Sequence, residues 1–218
     1  MKRIILLVSL VCLVINFNGC LNENSFFEQK VNPYFYDVDY IALCATAEYY
    51  EVETREEKVI DIEVSLVKTY EQGELYKFAI EPVGYLEDAR TTIYFYVTNE
   101  KIYRLWAYVY QEGEVIELYN NDELITKYFD TDQKLVENGE IVCQPEEMST
   151  KCDNGIISDI SLSEDKVIYS RCDRQENGDI GFYEWFIWER NKGLVDYGSG
   201  FGSEGEILYL KQIEEVHN

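Results

Sequence analysis

Histidine is almost missing from this chain: the single copy among 218 residues is His217. Ser-His-Asp and Cys-His catalysis and histidine-rich zinc sites all need an imidazole held inside a fold, so the sequence offers none of them. Basic residues are scarce, 19 against 42 acidic ones, for a formal net charge of −23. That field repels phosphate backbones and anionic headgroups, which excludes nucleic-acid partners and electrostatic membrane docking. Three prolines and thirteen glycines leave no room for a low-complexity chain. No two cysteines have C-x-x-C spacing, so zinc-ribbon and thiol-redox readings fall away.

Long apolar runs are also lacking, with one exception. After Lys2 and Arg3, Ile4 to Ile15 is apolar except for Ser9, and the sequence turns polar from Asn16. A bilayer span needs about 20 such residues, and this run is too short. A charged head, an apolar middle and a small residue before the cut describe a secretory signal over residues 1–19. Its removal takes away Lys2 and Arg3 and no acidic residue, moving the net charge from −23 to −25.

Phe17-Asn18-Gly19-Cys20 resembles the lipobox of bacterial lipoproteins, in which a small residue precedes a cysteine that is lipidated and becomes the new N-terminus. The resemblance implies lipidation at Cys20, a membrane partner through that anchor, and residence on the outer face of the cytoplasmic membrane. A diacylated cysteine supplies the two chains that stable anchoring needs. Cys44, Cys143, Cys152 and Cys172 then remain, an even number suited to two disulfides in an oxidising compartment. Cys143–Cys152 with Cys44–Cys172 is one of three connectivities.

Residues 20–35 read as a tether and 36–213 as one β-rich domain, with possible halves at 36–143 and 156–213. Ile60, Ile62, Val64 and Leu66 alternate with Asp61, Glu63 and Ser65, the pattern of a half-buried strand. Thr91–Val97 and Lys101–Tyr110 flank Thr98-Asn99-Glu100 as a hairpin in which Val97 faces Ile102, Tyr96 faces Tyr103 and Phe95 faces Arg104. Thr131 or Asp130 can cap a helix over 132–138, with Gly139 as a left-handed terminator. Residues 121–128 suit another helical turn, and residues 45–57 fit helix or strand. Gln144–Gly155 reads as a connection. These patterns predict a mainly antiparallel β-barrel or sandwich with a small helical insertion.

Three patterns carry possible chemistry. Gly200-Phe201-Gly202-Ser203-Glu204-Gly205 matches G-x-G-x-x-G, but a strand rather than a helix follows, so it reads as a glycine-rich hairpin. Asp173 to Glu184 partly fits a calcium loop, with Asp173, Asn177 and Glu184 as ligands and Gly178 at the sharp turn. Its flanks look like strands, and an Asn177-Gly178 hairpin tip is the plainer account. Tyr94, Tyr96 and Tyr103 share one side of the hairpin, away from Ile93, Phe95 and Val97. If exposed, they form a binding surface for a glycan, peptide or envelope protein; otherwise the helical insertion covers them. A hydrolase of wall polysaccharide working through paired carboxylates and a calcium-stabilised accessory subunit are the alternatives to a non-enzymatic binding domain without a cofactor. Phe182–Gly202 resembles a C-terminal block of uncharacterised exported proteins of low-GC Gram-positive bacteria, which implies compartment and β character only.

Overall fold

A computed structural model describes residues 32–36, 39–51, 54–82, 92–106, 108–111, 114–118, 121–174, 180–202 and 205–216. The strands are β1 (Tyr40–Glu51), β2 (Thr54–Thr69), β3 (Gly73–Ile80), β4 (Thr92–Thr98), β5 (Ile102–Leu105), β6 (Tyr108–Gln111) and β7 (Glu114–Glu117). Helices α1 (Asp122–Tyr128) and α2 (Asp132–Asn138) follow. Then come β8 (Gly139–Cys143), β9 (Ser149–Asp153), β10 (Ile156–Ser163), β11 (Lys166–Arg174), β12 (Ile180–Glu189), β13 (Gly193–Phe201) and β14 (Gly205–Glu215).

Twelve strands form one antiparallel sheet in the order β8-β5-β4-β3-β2-β1-β14-β13-β12-β11-β10-β9, and β6 pairs with β7 separately. The sheet is open, with β8 and β9 as its edges. The expected antiparallel β architecture with a small helical insertion is therefore observed, built as a single curled sheet. Curling brings one face of the sheet onto itself: Phe95 of β4 meets Phe186 and Trp188 of β12 at centroid separations of 5.5 and 5.2 Å. Ile60, Ile62 and Val64 line this interior beside Phe78, Tyr169 and Tyr197, while Asp61 and Glu63 between them face solvent. The two-residue period of the pleat dictates this division.

Several local expectations are refined. Residues 45–51 and 54–57 are strand, where β-branched and aromatic alternation prevails over Ala/Glu content. Thr131 caps α2 by accepting from the Lys134 amide at 3.3 Å, and Asn121 caps α1 from the Leu124 amide at 2.9 Å. Gly139 is not a left-handed terminator, because its φ of −90° is extended and it opens β8. Close packing explains the glycine: a Cβ there would lie 2.7 Å from the Leu135 carbonyl oxygen and 2.8 Å from Tyr103 Cβ. The connection over 144–155 contains β9, which turns into β10 through Asn154 and Gly155, both at positive φ, as a tight hairpin demands.

The tether expected over 20–35 ends earlier than that. Tyr34, Phe35 and Tyr36 are buried in the core. Phe35 packs on Tyr76 at 4.6 Å and near Trp188 at 6.1 Å, and Tyr36 Oη donates to the Leu194 carbonyl at 3.0 Å. Three large aromatic rings in a row find more apolar surface inside the roll than any solvated tether offers. Residues 1–31, with Cys20 and the segment expected to be a signal, lie outside the described residues. Among the described residues, no helix is long and apolar enough to cross a membrane.

Candidate functional site

The hairpin of β4 and β5 has the register expected from the sequence: Val97↔Ile102, Tyr96↔Tyr103 and Phe95↔Arg104. Its tyrosine face is nevertheless not a surface. Tyr94, Tyr96 and Tyr103 are 2%, 0% and 7% exposed and pack with Leu75, Leu105, Ile125, Phe129 and Leu135 beneath α1 and α2. Tyr94 Oη donates to Asp122 Oδ1 at 2.6 Å, and Tyr96 Oη donates to Asp132 Oδ1. Burial first, then these carboxylates, push both phenols well above their ordinary pKa. The helices are seated on these rings, so the tyrosines anchor the insertion.

The half-exposed aromatic face lies on the other half of the sheet. Along β12, Phe186 points into the core beside Tyr169 and Tyr197, so Tyr183 and Trp185 point outward. Tyr183 is opposite Gly200 and Trp185 opposite Gly198 on β13, and both glycines are covered. The six-membered ring of Trp185 fills the space that a Cβ on Gly198 would need. The Tyr183 and Trp185 rings are nearly parallel, at 9° with centroids 6.1 Å apart. Tyr209 of β14 faces Gly198 from the other side and rises against the indole at 61°, centroids 5.5 Å apart. The result is a floor of two rings with a tilted wall.

Asp196 sits at the corner. Its Oδ1 accepts from Trp185 Nε1 at 3.0 Å and its Oδ2 accepts from Tyr209 Oη at 2.9 Å. Both rings are thereby fixed in orientation, which lowers the entropy a ligand would lose in ordering them. Partial burial raises the Asp196 carboxyl pKa, against the pull of the two donors. Lys211, the register partner of Asp196 on β14, is engaged elsewhere, by Glu48 and by Glu57 at 3.3 Å. The sequence carried a signal for this site: Tyr183-x-Trp185 on one strand and Gly198-x-Gly200 on the next.

A second polar cluster lies inside the roll, where the β5–β8 end of the sheet comes against β11 and β12. Arg104 Nε is 2.8 Å from Glu184 Oε2, while Arg104 Nη2 and Tyr197 Oη each donate to Glu184 Oε1 at 3.1 Å. Arg171 bridges Glu140 at 2.7 Å and Asp173 at 2.9 Å. The Trp106 ring has both guanidinium carbons over it, at 3.7 and 4.2 Å. Glu184 is 1% exposed, and burial raises its pKa despite Arg104 and Tyr197. A general acid or base must reach the atom it protonates, and here each carboxylate is held by a guanidinium. The cluster fastens the seam of the roll.

This arrangement engages two of the three calcium ligands expected over 173–184 with arginines. Glu184 is a mid-strand residue of β12, opposite Arg171 of β11, with its carboxylate turned into the core. Asp173 is bound to Arg171, and Asn177 lies outside the described residues. Cys44, Cys143, Cys152 and Cys172 are free thiols. Cys143 is buried while Cys152 is exposed on the edge strand. Cys44 alternates with buried Leu43 and Ala45, and Cys172 is out of phase with buried Val167 and Tyr169. Both therefore leave the outer face of the sheet and cannot meet across the roll. Along the sheet they lie on strands four positions apart, roughly 19 Å at the usual strand spacing. A disulfide tolerates Cα separations of about 7 Å at most.

No family model matches the sequence, and no curated protein matches it. Among solved structures, one crystal structure described as a "putative lipoprotein" from Parabacteroides distasonis ATCC 8503 is similar, at 12% identity and a TM-score of 0.37. The match covers 85% of this chain and 100% of that one. Likeness at that level bears on neither fold nor function.

Proposed function

We propose that this chain is an exported, lipid-anchored binding module that takes a saccharide on Tyr183, Trp185 and Tyr209. The observation that carries the reading is the placement of Trp185 over Gly198, braced by Asp196. A pyranose with equatorial hydroxyls presents a flat face of C–H bonds, and rigid aromatic rings give it large contact area at little entropic cost. The Asp196 carboxylate beside the rings has acceptor capacity for sugar hydroxyls. Export and anchoring rest on the signal-like residues 1–19 and on Cys20. They would set the module against the cell envelope, where glycans are abundant.

Co-sedimentation with insoluble chitin, cellulose and peptidoglycan tests the reading. Wild-type protein should partition onto at least one of them, and Trp185→Ala should stay in solution with an unchanged far-ultraviolet spectrum. Equal retention of wild type and W185A would overturn it.

A further inference from the structure

We infer that Asp196 makes the aromatic platform selective for saccharides that carry a protonated amine. This inference rests on the saccharide reading of the same site and adds a chemical class to it. Asp196 holds two hydrogen-bond donors, Trp185 Nε1 and Tyr209 Oη, but among the described residues it has no ion-pair partner. Its register partner on β14, Lys211, is taken up by Glu48 and Glu57, and the Lys211 Nζ lies 6.0 Å from the Tyr209 ring centroid. Lys166, whose field reaches Asp196, is paired with Glu189 at 3.3 Å.

A half-buried carboxylate without a counter-ion is an incomplete arrangement, since a desolvated charge is stabilised chiefly by an opposite one. Its immediate neighbours are aromatic rings, whose faces also attract cations. The chain's net charge of −23 draws cationic ligands and repels anionic ones. An ammonium seated above Asp196 would meet the carboxylate while the pyranose to which it is attached covers Trp185. A neutral N-acetyl group in that place would gain the stacking and lose the charge.

The test compares the N-acetylglucosamine hexamer with its fully de-N-acetylated counterpart by calorimetry, at a pH where the amines are protonated. A charge-assisted hydrogen bond contributes about 1.5–3 kcal/mol, so the cationic hexamer should bind about tenfold more tightly or better. In Asp196→Asn the ratio of the two affinities should fall towards one, and added salt should reduce it in wild type. Binding of both hexamers with equal affinity would overturn the inference and leave the saccharide reading standing. Binding of neither would overturn the inference, and the saccharide reading would then stand or fall on retention by cellulose or peptidoglycan. A preference that survives in D196N would assign the selectivity to another carboxylate and overturn the role given to Asp196.

Discussion

Trp185 rests on Gly198, its six-membered ring in the space that any side chain at position 198 would require. Replacing Gly198 by Ala must therefore move the indole or the strand. Such overpacking costs about 1–3 kcal/mol. Gly198→Ala should lower the urea midpoint, alter the near-ultraviolet circular dichroism of the indole and weaken saccharide binding. A variant with wild-type stability and an unchanged indole signal would contradict this placement.

Asp132 ties α2 to the sheet through Tyr96 Oη and accepts from the Glu71 and Gln72 amides at 3.2 and 3.0 Å. Asp132→Ala leaves that buried phenol unpartnered, at a cost of about 1–3 kcal/mol. Tyr96→Phe removes the hydroxyl as well as its partner bond and should cost less. Both should change stability without changing the relative affinity for saccharides, because these residues lie under the helices. A loss of binding at full stability would restore the β4–β5 tyrosines as a binding surface.

Burial lifts the Glu184 carboxyl above its ordinary value, against the pull of Arg104 and Tyr197. A folded carboxyl with a raised pKa keeps its proton where the unfolded one has lost it, so the native state binds more protons. Stability from this group is present below the unfolded value, about 4.3, and declines as pH rises through the folded one. The wild type, measured against Glu184→Gln by urea unfolding, should lose relative stability as pH rises through that window and then level off. A relative gain over the same window would mean that Arg104 outweighs burial.

Cys152 is exposed on the edge strand and Cys143 is enclosed, with burial pushing its thiol pKa upward. Maleimide should label Cys152 in the native protein and Cys143 only after denaturation, since the thiolate is the reactive form. The reduced and non-reduced chains should have the same thiol count by mass. A non-reduced mass lower by two protons per bridge would show that the cysteines pair.

Legibility in the sequence followed the periodicities. The β4–β5 register could be read residue by residue because a short polar turn and a two-residue alternation fix it together. Ile60, Ile62 and Val64 declared their face in the same way. Which of two aromatic faces stayed open could not be read, because that depends on where α1 and α2 settle. Seven-residue helices carry too little pattern to indicate the sheet face they cover. The platform is hidden for a related reason: Gly200 reads as the start of a glycine-rich hairpin and Gly198 carries no pattern, and their shared role emerges only when β13 is set beside β12. Cysteine parity misled because it counts thiols without their separation in the sheet. Tyr34 and Phe35 are buried although they fall within the 20–35 tether expected from the sequence; two rings without a repeating pattern do not declare a face.

The indole region of a proton–nitrogen correlation spectrum offers the most direct measurement. Three tryptophans give three Nε1–H signals, and Trp185→Phe assigns the one bonded to Asp196. On titration with the de-N-acetylated glucosamine hexamer, the Trp185 signal should shift in a saturable way, while that of Trp188, buried in the core, should stay in place. A Trp185 signal unmoved throughout a titration in which the protein demonstrably binds the saccharide would contradict the account.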